Sequence, residues 1–212
     1  MKIGIVGGTG KEGRGIALRW AKAGHEVAIG SRDAARAAEK AAELSTAEAT
    51  LSGSDNATVC SEAEVVLLSI PFSGHKETLE ALKASLAGKI VIDITVPLKP
   101  PKVREVNLPE TTSAAQQAQQ ILADSRVVAT LHHVSSVHLS EPDHAIECDV
   151  LAVSDHPEAL QTVLGLLKDL GVKGIDAGPL KNAVALESLT PVLLHINKVY
   201  KGHAGIRVTG LP

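Results

Sequence analysis

The chain predicts an α/β fold built on a mainly parallel sheet, and three observations carry that prediction. Short apolar runs bounded by glycine or polar residues recur along its 212 residues. Such runs suit strands buried on both faces. Segments with helical spacing of Ala and Leu lie between them, and the connections are short. No internal repeat competes with this reading.

Taken in order, KIGIV (2–6) reads as the first strand and GRGIALRWAKA (13–23) as a helix closed by Gly24. EVAIG (26–30) is a strand, and DAARAAEKAAEL (33–44) a helix with Asp33 near its positive end. A polar stretch covers 52–56. ATVC (57–60) and EVVLLSI (64–70) then read as strands, HKETLEALKASL (75–86) as a helix and GKIVIDITV (88–96) as a strand. Proline makes VPLKPP (96–101) a loop. Residues 103–115 form the one long loop expected. SAAQQAQQIL (113–122) is a helix, RVVATLH (126–132) and CDVLAVS (148–154) are strands, and HPEALQTVLGLLKDL (156–170) is a helix with Pro157 in its first turn. VKGIDAG (172–178) is a last short strand. NAVALESLTPVLLHINKVY (182–200) is a final helix, expected to bend at Pro191.

Composition removes several classes of function. The formal net charge of −3 offers no field for a nucleic acid or an anionic membrane. Trp20, Phe72 and Tyr200 are the only aromatic residues, so no stacking platform for single-stranded bases exists. No apolar run approaches the ~18 residues of a membrane span. The chain opens directly on a strand, without a signal-peptide pattern. Cys60 and Cys148 sit in unrelated contexts, as expected of free thiols in a reducing cytoplasm.

The glycine loop after the first strand carries chemistry. Gly8-Thr9-Gly10-Lys11-Glu12-Gly13 fits G-x-G-x-x-G between a strand and a helix, inside a unit of about thirty residues. Gly8 is expected to make the tight turn, Gly10 to admit a pyrophosphate, and Gly13 to let helix and strand pack. The helix N-terminus would offer its free N–H groups to the phosphates. The sheet is therefore expected to be Rossmann-type and doubly wound, with a dinucleotide at its switch point. A P-loop is excluded, because no G-K-[ST] follows at its spacing. The plainer alternative is an ordinary strand-to-helix turn.

The second strand decides which dinucleotide. An NAD site places an acid at its end to hold the ribose 2′-hydroxyl. Here Ser31 and Arg32 stand there, and Arg36 follows one helical turn later. A hydroxyl and two guanidiniums suit the 2′-phosphate of NADP. Asp33 is the contrary sign, although it also suits a helix N-terminus.

The second substrate is less legible. No Ser/Tyr-x-x-x-Lys pair is present to protonate a carbonyl, and no Cys/His set has metal spacing. His132 and His133 would face opposite ways on a strand, so one of them is expected in the crevice. His75, His138, His144, His156, His195 and His203 read as structural or exposed. Asp93 reads as bonded to backbone or a helix end. The absence of an acid–base pair fits a reaction that needs only hydride transfer between two bound organic cofactors.

The whole chain resembles the NADP reductases that use the deazaflavin coenzyme F420. IVGGTGKEG, GSRD, SIPFSGH, DITVPLKPP, LHHVSS, DAGPL, ESLTPVLLHIN and HAGIRVTGL carry the resemblance in matching order. It implies that Gly8, Thr9, Gly10, Lys11, Glu12, Ser31, Arg32 and Arg36 hold NADP. Ile70, Pro71 and the residues just after them, Phe72 and His75, would lie along the nicotinamide and its ribose. Val96, Pro97 and Val137 would border the nicotinamide. His133, Val134, Ser135 and Ser136 would meet the deazaflavin, with His133 and Ser135 positioning it. Backbone amides near 135–137 would stabilise charge on that ring. Gly205 and Ile206 would close over it, and Lys99, Lys102, Lys198, Lys201 and Arg207 are candidates for its anionic tail.

The resemblance divides the chain into an NADP-binding domain over 1–180 and a small C-terminal helical segment over 181–212 that completes the deazaflavin pocket. Leu186, Leu189, Val192, Leu193 and Ile196 give that segment a broad apolar face, which caps its own domain or pairs with a second copy. A homodimer is expected, with no metal. Two rivals stay open: an NADP-dependent imine or carbonyl reductase with His133 as proton donor, and an NADP-binding protein without catalysis.

Overall fold

The computed structural model describes residues 1–109, 112–141 and 143–211. Eight strands form one sheet in the order β3-β2-β1-β4-β5-β6-β7-β8. They are β1 (Lys2–Val6), β2 (Glu26–Ser31), β3 (Leu51–Asp55), β4 (Val65–Leu68), β5 (Ile90–Asp93), β6 (Arg126–Thr130), β7 (Asp149–Val153) and β8 (Lys173–Asp176). Every neighbouring pair is parallel except β6 with β7. The helices are α1 (Lys11–Lys22), α2 (Ala34–Leu44), α3 (Asn56–Glu62), α4 (His75–Leu86), α5 (Ala114–Ile121), α6 (Ser136–Leu139), α7 (Pro157–Asp169) and α8 (Ala183–Tyr200). The doubly wound order reverses between β1 and β4, where the crevice of such a sheet opens.

The pleat divides the core into two layers. Ile3, Ile5, Val65, Leu67, Ile90 and Ile92 face one side with Ile16 and Trp20 of α1 and Leu160, Val163 and Leu167 of α7. Val6, Val66, Leu68, Val91 and Val127 face the other, with Leu79, Leu82 and Leu86 of α4 and Ala118 of α5. Burial on both faces is why the central strands read as continuous apolar runs. Trp20 is the one fully buried aromatic ring, and its Nε1–H donates to the Leu166 carbonyl at 2.9 Å.

The strand expected at 57–60 is instead the middle of α3. Asp55 caps that helix: its Oδ1 accepts the N–H groups of Ala57 and Thr58, each at 3.0 Å. The cap outweighs the strand preference of Thr58 and Val59. The third strand moves to the polar 51–55 stretch, which pairs only with β2 at the sheet edge. The final helix runs through Pro191 without interruption. Its apolar face splits: Leu186 and Leu193 are buried, whereas Val192 stays exposed.

Two buried polar devices fasten the frame. Glu187 of α8 accepts the N–H groups of Ala114 and Ala115 at 2.8 and 3.0 Å, capping α5 from another helix. Burial still pushes its carboxyl up to about 7. Asp93, at the end of β5, is bonded to His75 Nε2 at 2.8 Å and to the Thr95 N–H at 2.9 Å. Burial opposes both charges, but their mutual attraction raises the His75 pKa and lowers that of Asp93.

Candidate functional site

A cleft of about 760 Å³ opens at the carboxyl ends of β1, β4, β5 and β6. Gly10, Lys11 and Glu12 form one end. Ser69 to Phe72 and Ile94 to Val96, with Leu98, form its apolar flank. His132 to Val137 stand opposite. Thr190, Leu193, Leu194 and Asn197 of α8 and the 202–204 segment complete the wall.

The glycine loop differs in detail from its sequence reading. The left-handed residue is Gly7, with φ +71°, and a Cβ there would lie 2.4 Å from the Ser69 carbonyl oxygen. Gly8 is wedged against β2: a Cβ would meet that of Ile29 at 2.7 Å, and its N–H donates to the Gly30 carbonyl at 3.0 Å. The tight turn therefore belongs to Gly7, and Gly8 brings the loop beside the end of β2. Gly10 is open, with the Gly7 oxygen at 3.4 Å as the nearest atom to a Cβ. Gly10 also N-caps α1 without any side-chain bond. By contrast α2, α3 and α5 are capped by Asp33, Asp55 and Ser113. The first-turn N–H groups of α1 are thus left for an anion.

Ser31 is half-buried at the end of β2, and Arg32 and Arg36 are exposed beyond it. Among the described residues neither arginine forms an ion pair. The Asp33 carboxylate accepts the Arg36 N–H at 3.2 Å, so it serves as a helix cap rather than facing a ribose.

The histidine pair departs from the strand rule. β6 stops at Thr130 because Leu131 is left-handed, with φ 64°. The turn brings both His132 and His133 to the cleft wall. His133 donates from Nε2 to the Asp149 carbonyl at 3.0 Å, and burial lowers its pKa. Thr190 of α8 donates to the His132 carbonyl at 2.6 Å. Among the described residues both ring nitrogens of His132 lack a partner, and burial lowers its pKa to about 4. Ser135 Oγ accepts the Val137 N–H at 3.3 Å, so that amide is already engaged, and lies 3.5 Å from His203 Nδ1.

Several expected residues lie elsewhere. His75 is only 1 % exposed and spent on Asp93, so it does not line the cleft. Pro97 is buried, and its carbonyl accepts from Asn107 at 2.8 Å. Gly205 borders an adjoining cavity of about 540 Å³ with Cys148 and His203. The Ile206 carbonyl accepts the Asp149 N–H at 2.9 Å. Lys99, Lys102, Lys198, Lys201 and Arg207 are exposed and outside the cleft lining. Ser69, Thr95, Thr190 and Asn197 are lining residues that the sequence reading did not select. Thr190, Leu193, Leu194 and Asn197 follow the i, i+3, i+4, i+7 spacing of one helix face, a signal that would have found them. Among the described residues no acid, cysteine or histidine cluster is arranged to hold a metal, and no helix is long and apolar enough to cross a membrane.

Residues 2–97 match the family model described as NADP oxidoreductase, coenzyme F420-dependent. An F420-dependent NADP reductase of Methanothermobacter marburgensis is 40% identical over 100% of both chains. The chain belongs to this F420-dependent NADP oxidoreductase family. A second member, the F420-dependent NADP reductase of Methanocaldococcus jannaschii, is 38% identical over 100% of this chain and 99% of its own. A crystal structure from Arthrobacter sp. FB24, ascribed to an F420-dependent NADP reductase, superposes with a TM-score of 0.86. It covers 99% of this chain and 100% of that one at 28% identity. The family resemblance therefore extends through α8 and the segment beyond it.

A histidine held neutral by burial penalises the folded state in acid. Its folded pKa is depressed, so its contribution is lost as pH falls below the ordinary value of 6.5. Between pH 7.5 and pH 5 the native chain is expected to lose about 2 kcal/mol more stability than a His132→Leu variant. Urea unfolding of both proteins at the two pH values measures this difference.

Proposed function

We propose that this chain catalyses reversible hydride transfer between NADP(H) and the deazaflavin coenzyme F420. The full-length kinship with reductases of that name carries the reading. The cleft supports it, with anion-accepting amides at one end and the unpartnered His132 nitrogens at the other. Those are the polar atoms that a dinucleotide phosphate and the polar edge of a flat ring call for.

When both cofactors are bound, they supply the whole redox change, a hydride passing between nicotinamide C4 and deazaflavin C5. The chain's task is to place and dry them. The α1 amides at Lys11 and Glu12 receive the pyrophosphate, over Gly10 and beside Gly8 and Thr9, and Ser31, Arg32 and Arg36 receive the 2′-phosphate. Ile70, Pro71, Phe72, Val96 and Val137 form apolar walls that exclude water and hold two rings at near-attack distance. His132 to Ser136 meet the deazaflavin, and the segment from Gly202 to Ile206 closes that end as part of a C-terminal unit over 181–212. A homodimer is also part of this reading, supported by the exposed Val192, Val199 and Tyr200 of α8.

The imine or carbonyl reductase is not favoured. Its proton donor would be His133, whose Nε2–H is committed to the Asp149 carbonyl. Mixing the protein with NADPH and oxidised F420 is expected to bleach the visible absorbance of the deazaflavin. Bound NADPH without bleaching would refute the reading and leave an NADP-binding protein.

A further inference from the structure

Glu12 is an acid in a place built for anions. It sits in the first turn of α1, half-buried, and lines the cleft beside Gly10 and Lys11. Among the described residues its carboxylate forms no hydrogen bond within the protein and no ion pair. Burial pushes its carboxyl up to about 7, with no neighbouring charge contributing.

The surroundings offer little compensation. The neighbouring cations on α1 are Lys11, which is exposed, and Arg14, which is half-buried. From the turn after β6 come His132 and His133, both held toward neutrality by burial. Further titratable groups on elements packed around this end are His138 of α6, His203 of the C-terminal segment, Asp55 at the end of β3, and Arg32 and Asp33 just beyond β2. The stretches Ser69–Phe72 and Ile94–Val96 contribute no charge to the lining.

We infer that seating the NADPH pyrophosphate on α1 requires Glu12 to take up a proton. The inference rests on the reading of this cleft as the dinucleotide site. Two physical effects drive it. An ionised Glu12 competes with the phosphates for the same positive helix end. Bound phosphates add negative charge next to it and displace the water that still solvates it. Glu12 therefore makes nucleotide affinity fall as the medium turns alkaline, a dependence that sets when the enzyme is loaded.

Calorimetric titration of the intact protein with NADPH at pH 7.5, in buffers of different ionisation enthalpy, counts the protons exchanged. The wild type is expected to absorb a substantial fraction of one proton. Its Kd should rise between pH 7 and pH 8.5, approaching tenfold per unit in the one-proton limit. Glu12→Gln should bind NADPH with no such uptake and a flat profile. Arg32→Ala should bind more weakly yet keep the uptake, which separates loss of a phosphate contact from loss of the titrating group. Binding by the wild type without proton uptake, or equal uptake in Glu12→Gln, overturns the inference and leaves the nucleotide site standing. A wild type that does not bind NADPH overturns both.

Discussion

Arg32→Ala is expected to weaken NADP binding by about ten- to a hundredfold while leaving NAD binding nearly unchanged. A hydrogen bond to a charged group contributes about 1.5–3 kcal/mol, and the guanidinium's fork suits a phosphate better than any point charge. The setting strengthens the expectation. Arg32 is exposed beside the half-buried Ser31, and Asp33 is turned away into the cap of α2. Parallel fluorescence titrations with the two dinucleotides check it. Unchanged NADP affinity would show that the 2′-phosphate is held elsewhere. Raising the salt should weaken NADP more than NAD, because exposed charge contacts are screened.

Arg19→Met is expected to cost about 3 kcal/mol of folding stability, and to loosen the wall that carries His132 to Val137. Arg19 lies on the buried face of α1, only 7 % exposed, and its guanidinium serves five backbone carbonyls. Nε donates to Leu139 at 3.3 Å and Nη1 to Leu170 at 3.2 Å. Nη2 reaches His138, Glu141 and His144 at 2.9, 2.7 and 2.8 Å. Among the described residues no carboxylate pairs with it directly; a cage of carbonyl dipoles holds its charge. Burial lowers its pKa in direction, and the charge of Asp143 opposes that. Removing it strands the carbonyls of His138, Leu139, Glu141 and His144. Denaturant unfolding measures the loss. Hydrogen exchange at Leu139 to Glu141 shows whether the turn loosens first. Arg19→Lys should recover only part of the stability, since one ammonium has three donors and no planar fork.

The alternation of strand and helix, the G-x-G-x-x-G loop and the Ser31-Arg32 pair are local signals, and all were legible in the sequence. They depend on period, capping and residue chemistry, which act over a few neighbours. The misread elements are those where a local rule met a stronger local partner. ATVC carries strand-forming residues, but the Asp55 carboxylate two residues earlier makes it a helix. His132 and His133 alternate as on a strand, but Leu131 adopts a left-handed backbone and brings both to the cleft.

Other parts of the site were beyond any pattern in the chain. His75 appears among motif residues, yet it is consumed by Asp93, eighteen positions away in sequence. Nothing near Arg19 announces that its partners lie more than a hundred residues on. Glu12 reads as one residue of the NADP loop, and only the folded cleft shows that burial raises the pKa of its carboxyl.

Sequence alone thus determines the doubly wound sheet, the glycine loop that opens α1 and the cations that follow β2. Each follows from the covalent order of residues and the two short periods of strand and helix. Tertiary structure alone decides which histidines meet the cleft, which carboxyls have their pKa raised by burial and which guanidinium is structural. Those outcomes depend on how much water and which charges the folded chain leaves around each group, and distant segments set both.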